Sequence, residues 1–291
     1  MKKEKGNLKE RMFSYLCILP GFLGVLVFFV VPFIIVVYYS TINNPILHEY
    51  VGLTNYKALL QNTAFKQAAW NSAYFSLISV PLSIVLSIIL ALMLERSIPY
   101  KSALRTFFLS PLMVPTASVV IVWQVLFHNH GTINQICEMF GGNAVDWIKS
   151  PHGQIIIVAM FLWKNLGYNM ILFMSALAGV PKDILEVAEL EGAGKLYQFF
   201  RIKLRYLSPT IVFVLILSII NSFKVFREVY LLTGDHPVSK MYMLQHFMNN
   251  TFKSLDYQKL SAAAVLFAIV MIAVLAIILT VDRIFGKDLE D

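Results

Sequence analysis

Five polar residues interrupt two long apolar stretches, and their side chains are the ones best suited to contact a solute. Lys164, Asn165 and Tyr168 lie in one stretch, and Asn221 and Lys224 lie in the other. Asn221 and Lys224 are three residues apart, so a helix places them on one face. Amide groups hydrogen-bond hydroxyl groups, an aromatic ring stacks on other rings, and an ammonium group attracts anions. The pattern indicates a polar path through apolar surroundings.

The same side chains also suit contacts between packed helices. Polar groups on apolar helices hydrogen-bond across helix interfaces, and lysine side chains reach toward a polar boundary. Lys224 could instead pair with Glu228, one helical turn further along the chain. Each residue taken alone fits either interpretation, whereas the group as a whole favours a pathway, because ionisable groups in apolar segments usually face a cavity or a partner.

No residue pattern points to catalysis or to a bound metal. A nucleotide-hydrolysing chain carries a GxxxxGK[S/T] loop that holds the phosphates, but the two Gly-Lys pairs here are followed by Leu196 and Asp288. Cys17 and Cys137 form no CxxC pair and no Cys/His cluster with metal-ligand spacing. We therefore predict no catalytic residue, no metal site and no cofactor.

The composition indicates which elements must position the polar residues. Of 291 residues, 58% are apolar and 14% are charged, whereas about a quarter of the residues in soluble proteins are charged. A helix needs about 20 mainly apolar residues to cross a bilayer. Six stretches satisfy this requirement: 14–40, 69–94, 104–127, 154–178, 209–232 and 260–281. We predict an all-α integral membrane protein with one six-span domain over 14–282 and tails at 1–13 and 283–291.

The basic residues predict the orientation of these spans. Loops on the cytoplasmic side are enriched in Lys and Arg. Of the 24 Lys and Arg residues, 15 fall in the two tails and in the second-to-third and fourth-to-fifth connections, whereas six fall in the opposite loops. We therefore predict that both termini are cytoplasmic. The basic residues form no long stripe, so the net charge of +7 does not indicate nucleic-acid binding.

The cytoplasmic connection at 179–208 has helical patterning of its own. Pro181 suits the first turn of a helix, because its missing N–H would be unpaired there, and Gly192 provides a break. The apolar residues Ile184, Leu185, Val187, Ala188 and Leu190 cover one broad face of that helix. A second short helix is predicted over 195–204. We call the whole connection the coupling loop.

Charge and residue size together predict that the coupling loop docks on a protein. Glu186 and Glu189 share the polar face, and Glu191 falls on the apolar side. An amphipathic helix can lie on a membrane, but anionic lipids would repel these carboxylates. Small residues around Gly192 allow another backbone to approach closely. We therefore favour a protein partner over a lipid surface.

The coupling loop also carries a resemblance to a known family. Glu186-Val187-Ala188, three residues, Gly192, nine residues and Ile202-Lys203-Leu204 resembles the EAA motif of permease subunits of ATP-binding-cassette (ABC) importers. That motif reads E-A-A, three residues, G, nine residues, I-x-L-P. Val187 and Arg205 depart from it. Three further segments are similar to the carbohydrate branch of the maltose and glycerol-3-phosphate type, namely Leu19-Pro20-Gly21, Val51-Gly52-Leu53-Thr54-Asn55-Tyr56 and Leu232-Thr233-Gly234-Asp235.

The resemblance implies a fold, partners and site residues. The fold is the six-helix type I ABC importer permease fold, in a bacterial cell membrane. The implied partners are a second, different permease subunit, two ATPase subunits on the coupling loop, an extracellular substrate-binding protein and a sugar. The implied coupling residues are Glu186, Ala188, Glu191, Gly192 and Ala193. Alignment on the motif brings Thr116, Lys164, Asn165, Tyr168, Asn221 and Lys224 close to sugar-contacting positions.

The predicted function is therefore the import of a sugar or oligosaccharide by alternating access, with ATP hydrolysed by partner subunits. Two lysines in such a site suggest an acidic sugar or a phosphorylated polyol as a hypothesis. An ABC permease for a polyol phosphate, an amino acid or a polyamine is the first alternative. An ion-driven transporter is the second; it is expected to carry intramembrane carboxylates, for which Glu228 is the one candidate. A membrane enzyme is the third.

Overall fold

The computed structural model describes residues 8–95, 99–150 and 152–286, and within these ranges the chain is helical and has no β-strand. Its α-helices are α1 (Leu8–Val25), α2 (Val31–Tyr39), α3 (Thr54–Gln61), α4 (Thr63–Glu95), α5 (Lys101–Met113), α6 (Thr116–Leu126), α7 (Thr132–Met139), α8 (Gly153–Ala178), α9 (Lys182–Leu190), α10 (Lys195–Gln198), α11 (Leu204–Lys224), α12 (Phe226–Thr233), α13 (Leu244–Lys253) and α14 (Tyr257–Gly286). Short π-helical segments, Leu26–Val30 and Phe199–Lys203, join α1 to α2 and α10 to α11.

Five helical stretches within the described residues are long and apolar enough to cross a bilayer. They are Tyr15–Tyr39, Thr63–Glu95, Gly153–Ala178, Lys195–Thr233 and Tyr257–Arg283. The bent pair α5 and α6 provides a sixth if it counts as one span. The prediction of an all-helical membrane fold is confirmed. Residues 1–7, Arg96 and Lys287, which contributed to the predicted orientation and tails, lie outside the described residues.

The structure breaks the third predicted span, 104–127, into two helices. Helix α5 ends at Met113, α6 begins at Thr116, and the two are bent by 101°. Val114 is extended, with φ −80° and ψ 131°. Pro115 explains this conformation, because the proline ring disfavours the helical conformation of the residue before it. The predicted stretch 104–127 is thus a bent pair of helices, which provides one crossing if the pair counts as one span.

The second short helix predicted in the coupling loop is not separate from the fifth predicted span, 209–232. Residues Lys195–Thr233 form one helical stretch of 39 residues, which we call the long helix. At 1.5 Å per residue it is about 58 Å long, almost twice the roughly 30 Å thickness of a hydrocarbon core. Arg205 stands where the EAA motif has proline. The helix continues through this position and also through Pro209, four residues further on.

The chain divides into two compact units, the described residues of Met1–Asn62 with Thr251–Val270, and those of Thr63–Asn250 with Met271–Asp291. In the second unit, α4, α8 and α11 pack around an apolar core. Its buried residues include Val80, Ile84, Ile88, Met170, Phe173, Leu177, Leu207 and Val214. Small serines of α4 face this packing, and Ser83 accepts a hydrogen bond from Asn169 at 2.9 Å. Small side chains let helices approach closely.

In the first unit, the segment Val51–Tyr56 fixes the chain that follows the first span. The Asn55 side-chain amide donates to the carbonyl oxygens of Ser40 at 3.0 Å and Ile42 at 2.8 Å. The Tyr56 hydroxyl lies 2.6 Å from the hydroxyl of Ser40. Gly52 has φ +60°, which glycine adopts without strain. The residues of this family-like segment thus fix the local conformation of the chain.

Helix α5 approaches α8 closely at Gly167. A Cβ atom at this position would lie 1.8 Å from the carbonyl oxygen of Phe108. We expect Gly167→Ala to lower the free energy of unfolding by about 2 kcal/mol or more, because backbone atoms must move. Thermal unfolding of the purified chain measures this effect. Gly24→Ala is the matched control, since a Cβ there meets none of the described atoms within 4 Å; equal stability of the two variants would contradict the prediction.

Candidate solute cavity and coupling loop

A cavity of about 870 Å³ lies among α8, the end of α11, and α12. The polar and charged part of its lining includes Lys164, Asn165, Asn221, Lys224, Arg227 and Glu228. Leu112 of α5 and Gln245 of α13 also line it. Cavities of a few hundred to about a thousand Å³ are typical of small-molecule sites. The volume and the mixed lining therefore suit a polar organic solute.

The structure brings together four of the six residues predicted for the pathway. Lys164, Asn165, Asn221 and Lys224 line the cavity. Thr116 is not part of that lining, but its hydroxyl accepts a hydrogen bond from Lys164 Nζ at 3.3 Å. Among the described residues, the cavity lining does not include Tyr168, whose side chain is 36% exposed.

An ion pair crosses the cavity wall between α8 and α12. Lys164 Nζ lies 2.5 Å from Glu228 Oε1. Glu228 is only 6% exposed. The alternative that Lys224 pairs with Glu228 is therefore corrected. Lys224 and Glu228 remain about one turn apart in the helical stretch Lys195–Thr233, but the Lys224 side chain is exposed, and the carboxylate pairs with Lys164 of α8 instead.

Two asparagines join α8 to α11 at the cavity. Asn221 Nδ2 donates to Asn165 Oδ1 at 3.1 Å, and Asn165 Nδ2 donates to the carbonyl oxygen of Phe161 at 2.8 Å. Both asparagines also line the cavity. The two interpretations of the polar residues are thus not exclusive, because the same amides connect helices and present polar atoms to a solute.

Two residues that affect the charge and shape of the cavity, Arg227 and Gln245, were not predicted from the sequence. Arg227 lies three residues after Lys224, so helical spacing could have included it. Gln245 gave no such signal, because α13 is a short amphipathic helix far along the chain. The charged part of the lining consists of Lys164, Lys224, Arg227 and Glu228. Three cations and one carboxylate give the lining a positive balance.

Helix α13 is held near the cavity by a buried histidine. The His246 ring packs edge-on against Phe226 of α12, with centroids 4.7 Å apart. His246 Nδ1 accepts the backbone N–H of Met243 at 3.3 Å. Burial lowers the pKa of His246 to about 4, although the negative charge of Asp235 opposes this shift. The ring is therefore neutral at pH 7 and acts as a packing group.

The first helix of the coupling loop ends at the glycine that its sequence predicts, and it begins one residue after Pro181, which was expected within the first turn. Helix α9 starts directly after Pro181. At its other end Gly192 has φ +83°, and its N–H donates to the Glu189 carbonyl oxygen at 3.0 Å. The Ala193 N–H donates to the Ala188 carbonyl oxygen at 2.8 Å. These two bonds form a Schellman motif, which ends a helix with a residue in the left-handed region, usually glycine.

Helix α9 of the coupling loop leaves most of its apolar side chains uncovered. Helix α9 has no buried residue. Leu190 is 88% exposed, and Ile184 and Val187 are also exposed. Glu186 and Glu191 are exposed beside them. Contiguous exposed apolar groups with a polar border are typical of protein interaction sites.

Comparison with known proteins identifies the family. The family described as "binding-protein-dependent transport system inner membrane component" matches residues 83–290, which contain both the cavity and the coupling loop. The chain belongs to this family. It is thus a multi-pass membrane permease subunit of the ABC importer type.

The relatives support the carbohydrate branch. The sulfoquinovosyl glycerol transport system permease protein of Agrobacterium fabrum is 26% identical, over 95% of this chain and 92% of that protein. The arabinooligosaccharides transport system permease protein of Bacillus subtilis is 30% identical, over 94% and 88%. A bacterial ABC transporter involved in the import of the acidic polysaccharide alginate has a chain of the same fold, with TM-score 0.83 and 21% identity over 95% and 96%. The predicted resemblance is confirmed.

Proposed function

We propose that the chain forms half of the membrane pathway of an ATP-driven importer for a sugar or oligosaccharide and that it works by alternating access. The observation that carries this proposal is the long helix. It begins in the exposed coupling loop at Lys195 and reaches the cavity at Asn221 and Lys224. Lys195 and Asn221 are about 39 Å apart along the helix axis. A displacement of the loop is therefore transmitted to the cavity by one continuous element.

The exposed loop is proposed to bind one of two ATPase subunits. The apolar face of α9, with Glu186, Ala188, Glu191, Gly192 and Ala193 around it, provides the contact surface. A second permease subunit is proposed to complete the pathway, and an extracellular binding protein to deliver the solute. With the coupling loop on the cytoplasmic side and six crossings, both termini are cytoplasmic. The membrane is that of a bacterial cell.

An ion pair joins the first turns of the long helix to the C-terminal end of α4. Lys203 Nζ lies 2.7 Å from a carboxylate oxygen of Glu95. Through this contact, a force on the coupling loop reaches a second helix of the packed core. Because α4, α8 and α11 pack together, we infer that the loop moves the three helices as one group.

The solute is proposed to be rich in hydroxyl groups and to include acidic carbohydrates. Asn165 and Asn221 suit hydroxyl groups. Lys224 and Arg227 are exposed to the cavity, and in the described part of the chain neither is paired with a carboxylate. One relative carries arabinooligosaccharides by its name, and a structural neighbour imports an acidic polysaccharide. The acidic-solute hypothesis therefore rests on Lys224 and Arg227, since Lys164 is already paired.

We expect Lys224→Met to weaken binding of an acidic trisaccharide about tenfold and to leave a neutral trisaccharide within about twofold. A charge-assisted hydrogen bond contributes about 1.5–3 kcal/mol, and only the acidic solute uses it. Titration of the purified importer with trigalacturonate and maltotriose measures the effect. Lys149→Met is the matched control, because this exposed lysine lies outside the cavity lining. An unchanged ratio of the two affinities would show that Lys224 does not contribute to binding of the acidic solute.

Reconstituted uptake tests the proposal as a whole. The permease pair, the ATPases and the binding protein are placed in proteoliposomes with ATP on the ATPase side. We expect carbohydrate uptake that requires ATP and the binding protein and is blocked by vanadate. Uptake driven by an ion gradient without the ATPases would contradict the proposal and would favour the ion-driven alternative.

A further inference from the structure

The buried carboxylate of Glu228 has one oxygen in use and one without a partner. Oε1 accepts the hydrogen bond of Lys164. Oε2 is buried and, within the described residues, has no hydrogen-bond partner. Each carboxylate oxygen can accept about two hydrogen bonds, and more than nine in ten buried polar groups are satisfied. An unsatisfied charged oxygen is stabilised by a donor from outside the chain, which Oε2 can meet when the side chain turns toward the cavity that Glu228 lines.

The cavity is where such a donor comes from. Glu228 lines it together with Asn165, Asn221, Lys224 and Arg227. A carboxylate oxygen accepts hydrogen bonds from hydroxyl groups and repels anionic groups. The two cations that are not paired have the opposite preference. The lining is thus divided into a part that selects hydroxyl donors and a part that accepts anions.

We propose that Glu228 is a specificity-determining residue of the solute cavity, with Oε2 accepting a hydrogen bond from a carbohydrate hydroxyl while the carboxylate charge neutralises Lys164. This inference rests on the proposed function and adds a residue that the sequence pattern did not assign to the solute. The same group thereby has two effects. It binds a neutral part of the sugar, and it prevents Lys164 from becoming a third anion-binding cation.

The isosteric variant Glu228→Gln separates these effects from simple packing. It keeps the shape and removes the charge, so that the positive charge of Lys164 is no longer neutralised. We expect the affinity for maltotriose to fall about tenfold, because a hydrogen bond to a charged acceptor is lost. The affinity for trigalacturonate should stay equal or rise, because Lys164 becomes available. The acidic-to-neutral affinity ratio should therefore rise at least tenfold, as measured by thermal-shift titration of the purified importer complex.

Two further variants keep the inference falsifiable. Asp256→Asn is the matched control; it removes another ion-paired carboxylate, which pairs with Lys259 outside the cavity lining, and should leave the ratio unchanged. If Glu228→Gln does not fold, the double variant Lys164→Met with Glu228→Gln replaces it, since it leaves no unpaired charge. This double variant should weaken maltotriose binding as strongly while the affinity for trigalacturonate stays near the wild-type value.

The outcomes distinguish this inference from the proposed function. A wild-type complex that binds neither saccharide contradicts both. A wild-type complex that binds saccharide, combined with an unchanged ratio in Glu228→Gln and in the double variant, contradicts only the role of Glu228 and leaves it a structural partner of Lys164. If Glu228→Gln weakens the binding of both saccharides equally, only the role of Glu228 in specificity is contradicted, because a general loss of packing affects both saccharides alike.

Discussion

Gly192→Asp should reduce carbohydrate uptake about tenfold or more while the protein still inserts into the membrane. Gly192 has φ +83° in the Schellman motif that ends α9. A side chain in this left-handed region costs about 1–2 kcal/mol, which shifts the loop away from its capped conformation. The carboxylate also projects into open space, since a Cβ there meets nothing within 4 Å. In the assembled importer that space is the proposed contact with the ATPase.

The matched control for this variant is Gly194→Asp. Gly194 lies two residues further along the same loop, has φ −65° and also has an open Cβ position. The same carboxylate is thus introduced without backbone strain, and we expect most of the uptake to remain. ATP hydrolysis and uptake are measured on the same proteoliposomes. Normal, fully coupled uptake by Gly192→Asp would contradict the role given to this turn.

Lys164→Met should lower the free energy of unfolding by about 3 kcal/mol, the effect of leaving a buried charge without its partner. The Glu228 side chain is 8% exposed and has its one ion-pair contact with Lys164 among the described residues. The double variant Lys164→Met with Glu228→Gln should recover most of the loss, because no charge then stays unpaired. Thermal unfolding of the three variants and the wild type forms a double-mutant cycle.

Lys203→Met provides the comparison for this second prediction. Lys203 also forms an ion pair, and its side chain is 17% exposed against 24% for Lys164, but the side chain of its partner Glu95 is 35% exposed against 8% for Glu228. Ion pairs that are open to solvent contribute about 0–1 kcal/mol, so this variant should change stability little. Equal effects of Lys164→Met and Lys203→Met would show that burial does not determine the importance of these pairs.

The apolar stretches and the loop motif could be predicted from the sequence because both depend on local rules. Hydrophobic length identifies spans, and Pro181 and Gly192 mark the two ends of α9 through backbone preferences that neighbouring helices do not change. The third span was predicted less well. Pro115 signals a break, but the 101° bend depends on how α5 and α6 each pack.

The site could be predicted only in part, because pairing depends on contacts between distant segments. Polar residues within apolar helices indicated Lys164, Asn165, Asn221 and Lys224. The partner of Glu228 could not be read from spacing, since Lys224 is close in sequence and Lys164 is 64 residues away. Gln245 reaches the cavity through the packing of α13, which no local pattern encodes.

Labelling of the cavity from each side of the membrane is the most direct test of alternating access. Lys224→Cys places a thiol in the cavity lining, in a chain whose free cysteines Cys17 and Cys137 are replaced by serine. A membrane-impermeant thiol reagent is applied from each side of the reconstituted importer, without nucleotide and with ATP bound. We predict labelling from the cytoplasmic side without nucleotide and from the outer side with ATP. Labelling from the same side in both states would contradict alternating access through this cavity.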